Sequence, residues 1–188
     1  MINSPYKIVL FCLLTLLVAF NGNCQVTTAT NVRIVFIRHG EKPAKGDNLS
    51  CQGINRSLLL PAVLVARFGI PAYTYVPALG QGYVTKHSRM YQTVVPLVAK
   101  YNLSINTSHA EKDSLLMADE LRSKQGTVLV VWEHNGIAPI VRSLGITDTG
   151  LVWPDEDYDS IWIVAIKDGK ATFTKDKEGL TPSAECKF

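Results

Sequence analysis

The chain has 188 residues, 47% of them hydrophobic and 19% charged, which is the composition of an ordinary globular domain with a substantial core. A net charge of +3, with no arginine-rich run or basic helix to concentrate it, argues against a nucleic-acid partner and leaves an acidic small molecule as a compatible ligand.

Residues 1–24 differ in kind from the rest. Lys7 is their only charged side chain, and Ile8 to Phe20 form an apolar run before Asn21-Gly22-Asn23-Cys24. This reads as a secretory signal peptide, too short and too weakly flanked for a membrane span. The expected organisation is therefore a signal over 1–24 and one domain over 25–188, exported to the periplasm or medium, with no membrane span in the mature chain. Cleavage before Cys24 with lipid attachment is the lesser alternative, because Asn21-Gly22-Asn23 makes a poor lipobox. Cys51 and Cys186 remain in the mature chain, either as a disulfide favoured by an oxidising compartment or as two free thiols. No C-x-x-C pair or His/Cys cluster with ligand spacing occurs, so neither a metal nor a cofactor is expected.

Residues 25–31 form a polar leader. Val32 to Ile37 is a β-branched apolar run that reads as a strand buried on both faces, ending at Arg38-His39-Gly40-Glu41. A polar, turn-rich loop follows over 42–49. Ser50 is placed to cap a helix from Cys51 to Phe68, which Pro61 is expected to kink or split. Tyr73 to Val76 suggests a short strand. The loop 78–86 contains Gly80-Gln81-Gly82 but has Thr85 where a dinucleotide fingerprint needs its third glycine. Ser88 is the expected cap of a helix over 89–100 with an apolar stripe of Met90, Val94, Leu97 and Val98.

A short strand is expected at 103–106. Asp113 then caps a helix carrying Leu115, Leu116, Ala118 and Leu121, which Gly126 ends. Thr127 to Trp132 is a second buried strand, stopping at Glu133-His134-Asn135 before a helix over 137–144. Strands over 158–166 and 171–174 flank Asp168-Gly169, a hairpin turn signal. The order predicts a three-layer α/β/α domain with a mostly parallel sheet.

In such a sheet Arg38-His39, Arg89 at a helix start and His134 after another buried strand all face one edge, where four polar or cationic groups can meet one anion. A guanidinium fork matches phosphate oxygens, and a neutral imidazole can attack phosphorus.

These segments resemble the histidine phosphatase superfamily, the phosphoglycerate-mutase-like and acid-phosphatase-like proteins. Arg38-His39-Gly40-Glu41 is similar to its opening motif. Leu49-Ser50 with Gly53 and Arg56 resembles its Leu-Ser/Thr…Gly…Arg helix start, and Ser88-Arg89-Met90-Tyr91-Gln92-Thr93 its Arg-x-x-Gln-Thr segment. Val128 to His134 resembles the strand that delivers the second histidine. The resemblance implies a phosphoglycerate-mutase-like fold and a phosphatase acting on a small phosphorylated substrate. His39 would become phosphohistidine, while Arg38, Arg89 and His134 hold the phosphoryl oxygens. A mutase of the same superfamily and a non-catalytic phosphate-binding module are the alternatives.

The proton donor is less marked. Glu111 has about the separation from the second motif that many relatives use, against the alternative of a solvated acid before a helix. Asn135 stands where acid phosphatases carry a donating Asp, and an amide cannot serve. Glu41 is expected to brace the pocket. Lys42 lies where some relatives have another phosphate-side Arg, or else is a solvated loop lysine, and His87 is expected at the surface. The acidic run 153–159 lacks the glycine and terminal Glu of a calcium loop and reads as a solvated lead into the next strand, placed where it could shape the pocket.

Overall fold

The computed structural model describes residues 31–80 and 87–186. The expected signal segment, Cys24, and loop residues 81–86 lie outside them.

Strand β1 (Val32–Arg38) is the hinge of the architecture. Its alternate residues serve two cores: Val32, Ile34 and Phe36 join one cluster, Val35 and Ile37 the other. The side-chain period of two explains this division, and burial on both faces explains why the run is continuously apolar. Strand β3 (Gly126–Trp132) pairs with β1 in parallel, and β2 (Tyr73–Tyr75) pairs in parallel with β3. On the other side of β1, β4 (Ser160–Lys167) and β5 (Lys170–Lys177) add antiparallel neighbours. The strand order is β2-β3-β1-β4-β5. The sheet is thus mixed, with its parallel part at β2, β3 and β1.

Helices α1 (Cys51–Phe68) and α2 (Ser88–Tyr101) cover one face. Helices α3 (Ser114–Arg122) and α4 (His134–Ser143) cover the other. The result is the expected three-layer α/β/α arrangement. Ser50 caps α1, its hydroxyl accepting from Gly53 N at 3.2 Å.

Several local expectations are corrected. Pro61 neither splits α1 nor ends it, because Leu60 and Leu64 beside it are buried in the core and tertiary packing outweighs one missing N–H bond. His87, not Ser88, is the cap of α2. The strand expected at 103–106 reduces to one bridge between Tyr75 and Asn106. Gly126 opens β3 with φ of 78° instead of closing α3. Helix α4 starts at His134 because Glu133 caps it, its carboxylate accepting from His134 N at 2.7 Å. β4 starts only at Ser160, since Asp157 takes the Ser160 N–H at 2.9 Å in a preceding turn. The hairpin turn falls at Asp168-Gly169, both at positive φ.

Cys51 and Cys186 form a disulfide with Cα atoms 4.9 Å apart, resolving the two readings of these thiols. Among the described residues no helix is long and apolar enough to cross a membrane.

Candidate active site

Parallel register brings the site together. Arg38 of β1 lies opposite Trp132 of β3, and His39 N donates to Trp132 O at 3.3 Å. The residues that leave the two strands, His39 on one side and Glu133-His134 on the other, therefore emerge at one level on one edge of the sheet. Brought there from positions far apart in sequence, Arg38, His39 and His134 are each at least 95% buried.

The loop after β1 is held down by close backbone approach. A Cβ on Gly40 would meet Gly53 O at 2.8 Å, and one on Gly53 would meet Glu41 O at 2.3 Å. Both positions require glycine for lack of room. Ser50 N donates to Glu41 O at 2.9 Å, closing this loop against the start of α1. Gly40 N in turn donates to Thr93 Oγ1 at 2.9 Å, and that hydroxyl donates to Arg89 O at 2.7 Å. The first turn of α2, with Arg89, is thereby fixed against the residue after His39.

His39 Nδ1 lies 2.7 Å from Gly40 O. A carbonyl oxygen only accepts, so Nδ1 carries a proton and the other nitrogen, Nε2, is the one turned to chemistry. Nε2 stands 3.3 Å from Glu133 Oε2. The other oxygen of the same carboxylate is 2.6 Å from His134 Nδ1. Burial alone would raise the Glu133 carboxyl, but its interactions with His39 and His134 prevail and hold it at about 2. His134 Nε2 donates to Asp155 Oδ1 at 2.9 Å. Arg38 donates to Asp155 O, and its guanidinium lies 4.0 Å from the centroid of the Tyr158 ring. That ring also meets His39 edge-on at 6.1 Å.

Arg89 NH1 donates to Asp47 O at 3.2 Å, and its buried Nε has no partner among the described residues. Glu111 is engaged by other groups. Its side chain pairs with His87 at 2.9 Å, and its backbone oxygen accepts from Trp132 Nε1 at 3.0 Å. His87, expected at the surface, is instead mostly buried against this acid. Lys42 is exposed and lines a cleft of about 530 Å³ with Ser50, Gln52, Glu156 and Tyr158. The cleft adjoins the cluster through the Tyr158 ring. Glu41 braces as expected, with Oε1 2.7 Å from Arg56 NH2.

Three functional candidates were not singled out from sequence: Glu133, Asp155 and Tyr158. Glu133 had a usable signal, since it sits between a buried strand and the second histidine. Among the described residues no group of three or more His, Cys, Asp or Glu side chains could hold a metal ion.

No family model and no curated protein matches this sequence. Solved structures do match in fold. A phosphoserine phosphatase variant from Entamoeba histolytica, in complex with phosphoserine, is 11% identical with a TM-score of 0.54, covering 79% of this chain and 97% of that one. A phosphoglycerate mutase from Plasmodium falciparum is 14% identical with a TM-score of 0.52, covering 83% and 96%. A mycobacterial glucosyl-3-phosphoglycerate phosphatase, in complex with inorganic phosphate, is 15% identical with a TM-score of 0.50, covering 77% and 95%.

Proposed function

We propose that this chain, whose fold is that of the histidine phosphatase superfamily, is an exported phosphomonoesterase that hydrolyses small phosphate esters through a phosphohistidine on His39. The observation that carries the reading is the meeting of two imidazoles and a buried guanidinium at the edge of the parallel strands, with His39 Nδ1 tied to Gly40 O at 2.7 Å. That bond keeps a proton on Nδ1 and presents Nε2, 3.3 Å from Glu133 Oε2, as the nucleophilic atom once its own proton has passed to an acceptor.

Phosphoryl transfer asks for an in-line nucleophile and positive charge on the equatorial oxygens, and little else from a protein. Arg38 and His134 are buried donors at the same sheet edge as the nucleophile. In the free protein both are engaged by Asp155, which an incoming phosphate would replace. Arg89, with its unpartnered buried Nε, adds a third donor from α2. The polar cleft beside Tyr158 receives the remainder of the ester, with Lys42 at its rim. Export rests on the charge-poor leader and is supported by the Cys51–Cys186 bridge, a bond characteristic of oxidising compartments.

Replacing His39 with Ala removes hydrolysis of an aryl phosphate while far-UV circular dichroism stays unchanged. Full activity in His39→Ala contradicts the reading, and an isomerised phosphoester in place of free phosphate would make the protein a mutase.

A further inference from the structure

We propose that Glu133, the residue between β3 and the second histidine, carries the proton that frees the His39 nucleophile and then protonates the leaving group. This rests on the phosphohistidine reading above and identifies the acid that it requires.

Glu111, Asp155 and Glu133 differ in their surroundings. Glu111 is committed to His87 at 2.9 Å. Asp155 has an 84% exposed side chain, and a carboxylic acid that holds a proton through catalysis needs burial. Glu133 is only 19% exposed and, among the described residues, is the carboxylate in contact with both histidines. The groups that face it come from two elements: His39 from the end of β1, and His134, by its ring and its backbone N–H, from the start of α4. Arg38 and Asp155 lie one contact further out, through His134 and the loop before β4.

The two imidazoles hold this carboxylate ionised against its burial. A phosphate arriving at Nε2 and at His134 takes over those interactions and adds negative charge nearby. What remains at Glu133 is burial beside an anion, and both favour the protonated acid.

The proton then has a balanced path. It passes from His39 Nε2 to Glu133 Oε2, 3.3 Å away in the free protein, which exposes the lone pair. Nε2 forms its bond to phosphorus as the ester P–O bond breaks, and the departing oxygen takes the proton from Glu133 to leave as an alcohol. Water then attacks the phosphohistidine and gives a proton to the Glu133 carboxylate as the N–P bond breaks. Phosphate leaves, and the proton on Glu133 returns to the pair. One proton serves nucleophile and leaving group, and no co-reactant other than water is consumed.

The test compares Glu133→Gln with Glu111→Gln and Asp155→Asn on a p-nitrophenyl ester, whose leaving group needs no acid, and on an alkyl phosphate, whose leaving group does. For Glu133→Gln, kcat/KM should fall on the order of 10²-fold or more on the alkyl ester and by less than about 10-fold on the aryl ester. Glu133→Asp, which keeps the acid on a shorter arm, should recover part of the alkyl activity and guards against misfolding of the amide variant. Equal losses on both esters would reduce Glu133 to a positioning residue and overturn the proposal. A leaving-group-dependent loss in Glu111→Gln or Asp155→Asn with none in Glu133→Gln would overturn it in favour of that acid. Absence of labelled phosphohistidine in the wild-type enzyme would instead remove the reading on which it rests.

Discussion

Arg56 shows how a single side chain supports the site without belonging to it. Its Nε lies 3.0 Å from both carboxylate oxygens of Glu41, and its NH1 pairs with Glu178. Two acids thus share one buried guanidinium. Burial pushes the Glu178 carboxyl up, to about 8, because the Arg56 charge it would draw on is also engaged by Glu41. A raised acid stabilises the fold while it keeps its proton, so this contribution is complete below the ordinary value of 4.5 and is lost as pH rises through about 8. Glu178→Gln should therefore be more stable than wild type at pH near 9 and should gain less near pH 5, read as Tm across that range. An equal shift at both ends would contradict the assignment. The sequence placed Arg56 in a helix-start motif but could not pair it with Glu178, 122 positions away. Long-range pairing of charged side chains has no local periodicity to announce it.

The loop between α4 and β4 is the element that sequence reading understood least. Its acids were expected to be solvated, which holds for Asp155 but does not explain its place on Arg38 and His134. The cause lies in Trp153, which is buried and packs against Trp162 with ring centroids 4.9 Å apart. That anchor turns the following residues back over the sheet edge, so an acidic run becomes the cover of a basic site. In the free protein the Asp155 carboxylate engages His134 and its backbone oxygen engages Arg38, the two donors that the proposed reading assigns to an anion. Because its side chain is 84% exposed, removing it leaves the fold intact. Asp155→Ala is expected to bind inorganic phosphate several-fold more tightly, measured as the inhibition constant against an aryl ester. Unchanged or weaker phosphate inhibition would show that the contact does not compete with ligand. By contrast both ends of α1 were legible, with Ser50 read as its cap, although Pro61 was expected to interrupt it.

At the scale of the whole molecule, the two-sided burial of β1 and β3 was readable from their unbroken apolar runs, and with it the layered fold. The direction of β4 relative to β1 was not, since an antiparallel neighbour carries no sequence mark distinguishing it from a parallel one. The meeting of Arg38, His39 and His134 followed from topology once β1 and β3 were taken as parallel neighbours. Glu133 was missed because a strand-end acid reads first as an ordinary cap, and its place beside the second histidine did not show that the register also brings His39 to it. The Cys51–Cys186 bridge ties the start of α1 to the end of the described chain across 135 positions. Asn55 Nδ2 reinforces that strap by donating to Ser183 O and Glu185 O, each at 2.8 Å. Closing so long a loop stabilises chiefly by restricting the unfolded chain, by about 2–4 kcal/mol. Reduction should then lower Tm by roughly 5–15 °C in a domain of this size. A Tm indifferent to reductant would mean the strap holds without the bond.

The central claim is that His39 takes the phosphoryl group. Rapid quenching of the wild-type enzyme with an aryl phosphate under alkaline conditions, where a phosphoramidate survives, followed by peptide mass spectrometry, tests it most directly. The account predicts a phosphoryl group on the peptide carrying His39, absent from the same peptide of His39→Ala. Turnover with the phosphoryl group on another residue, or on none, would contradict it.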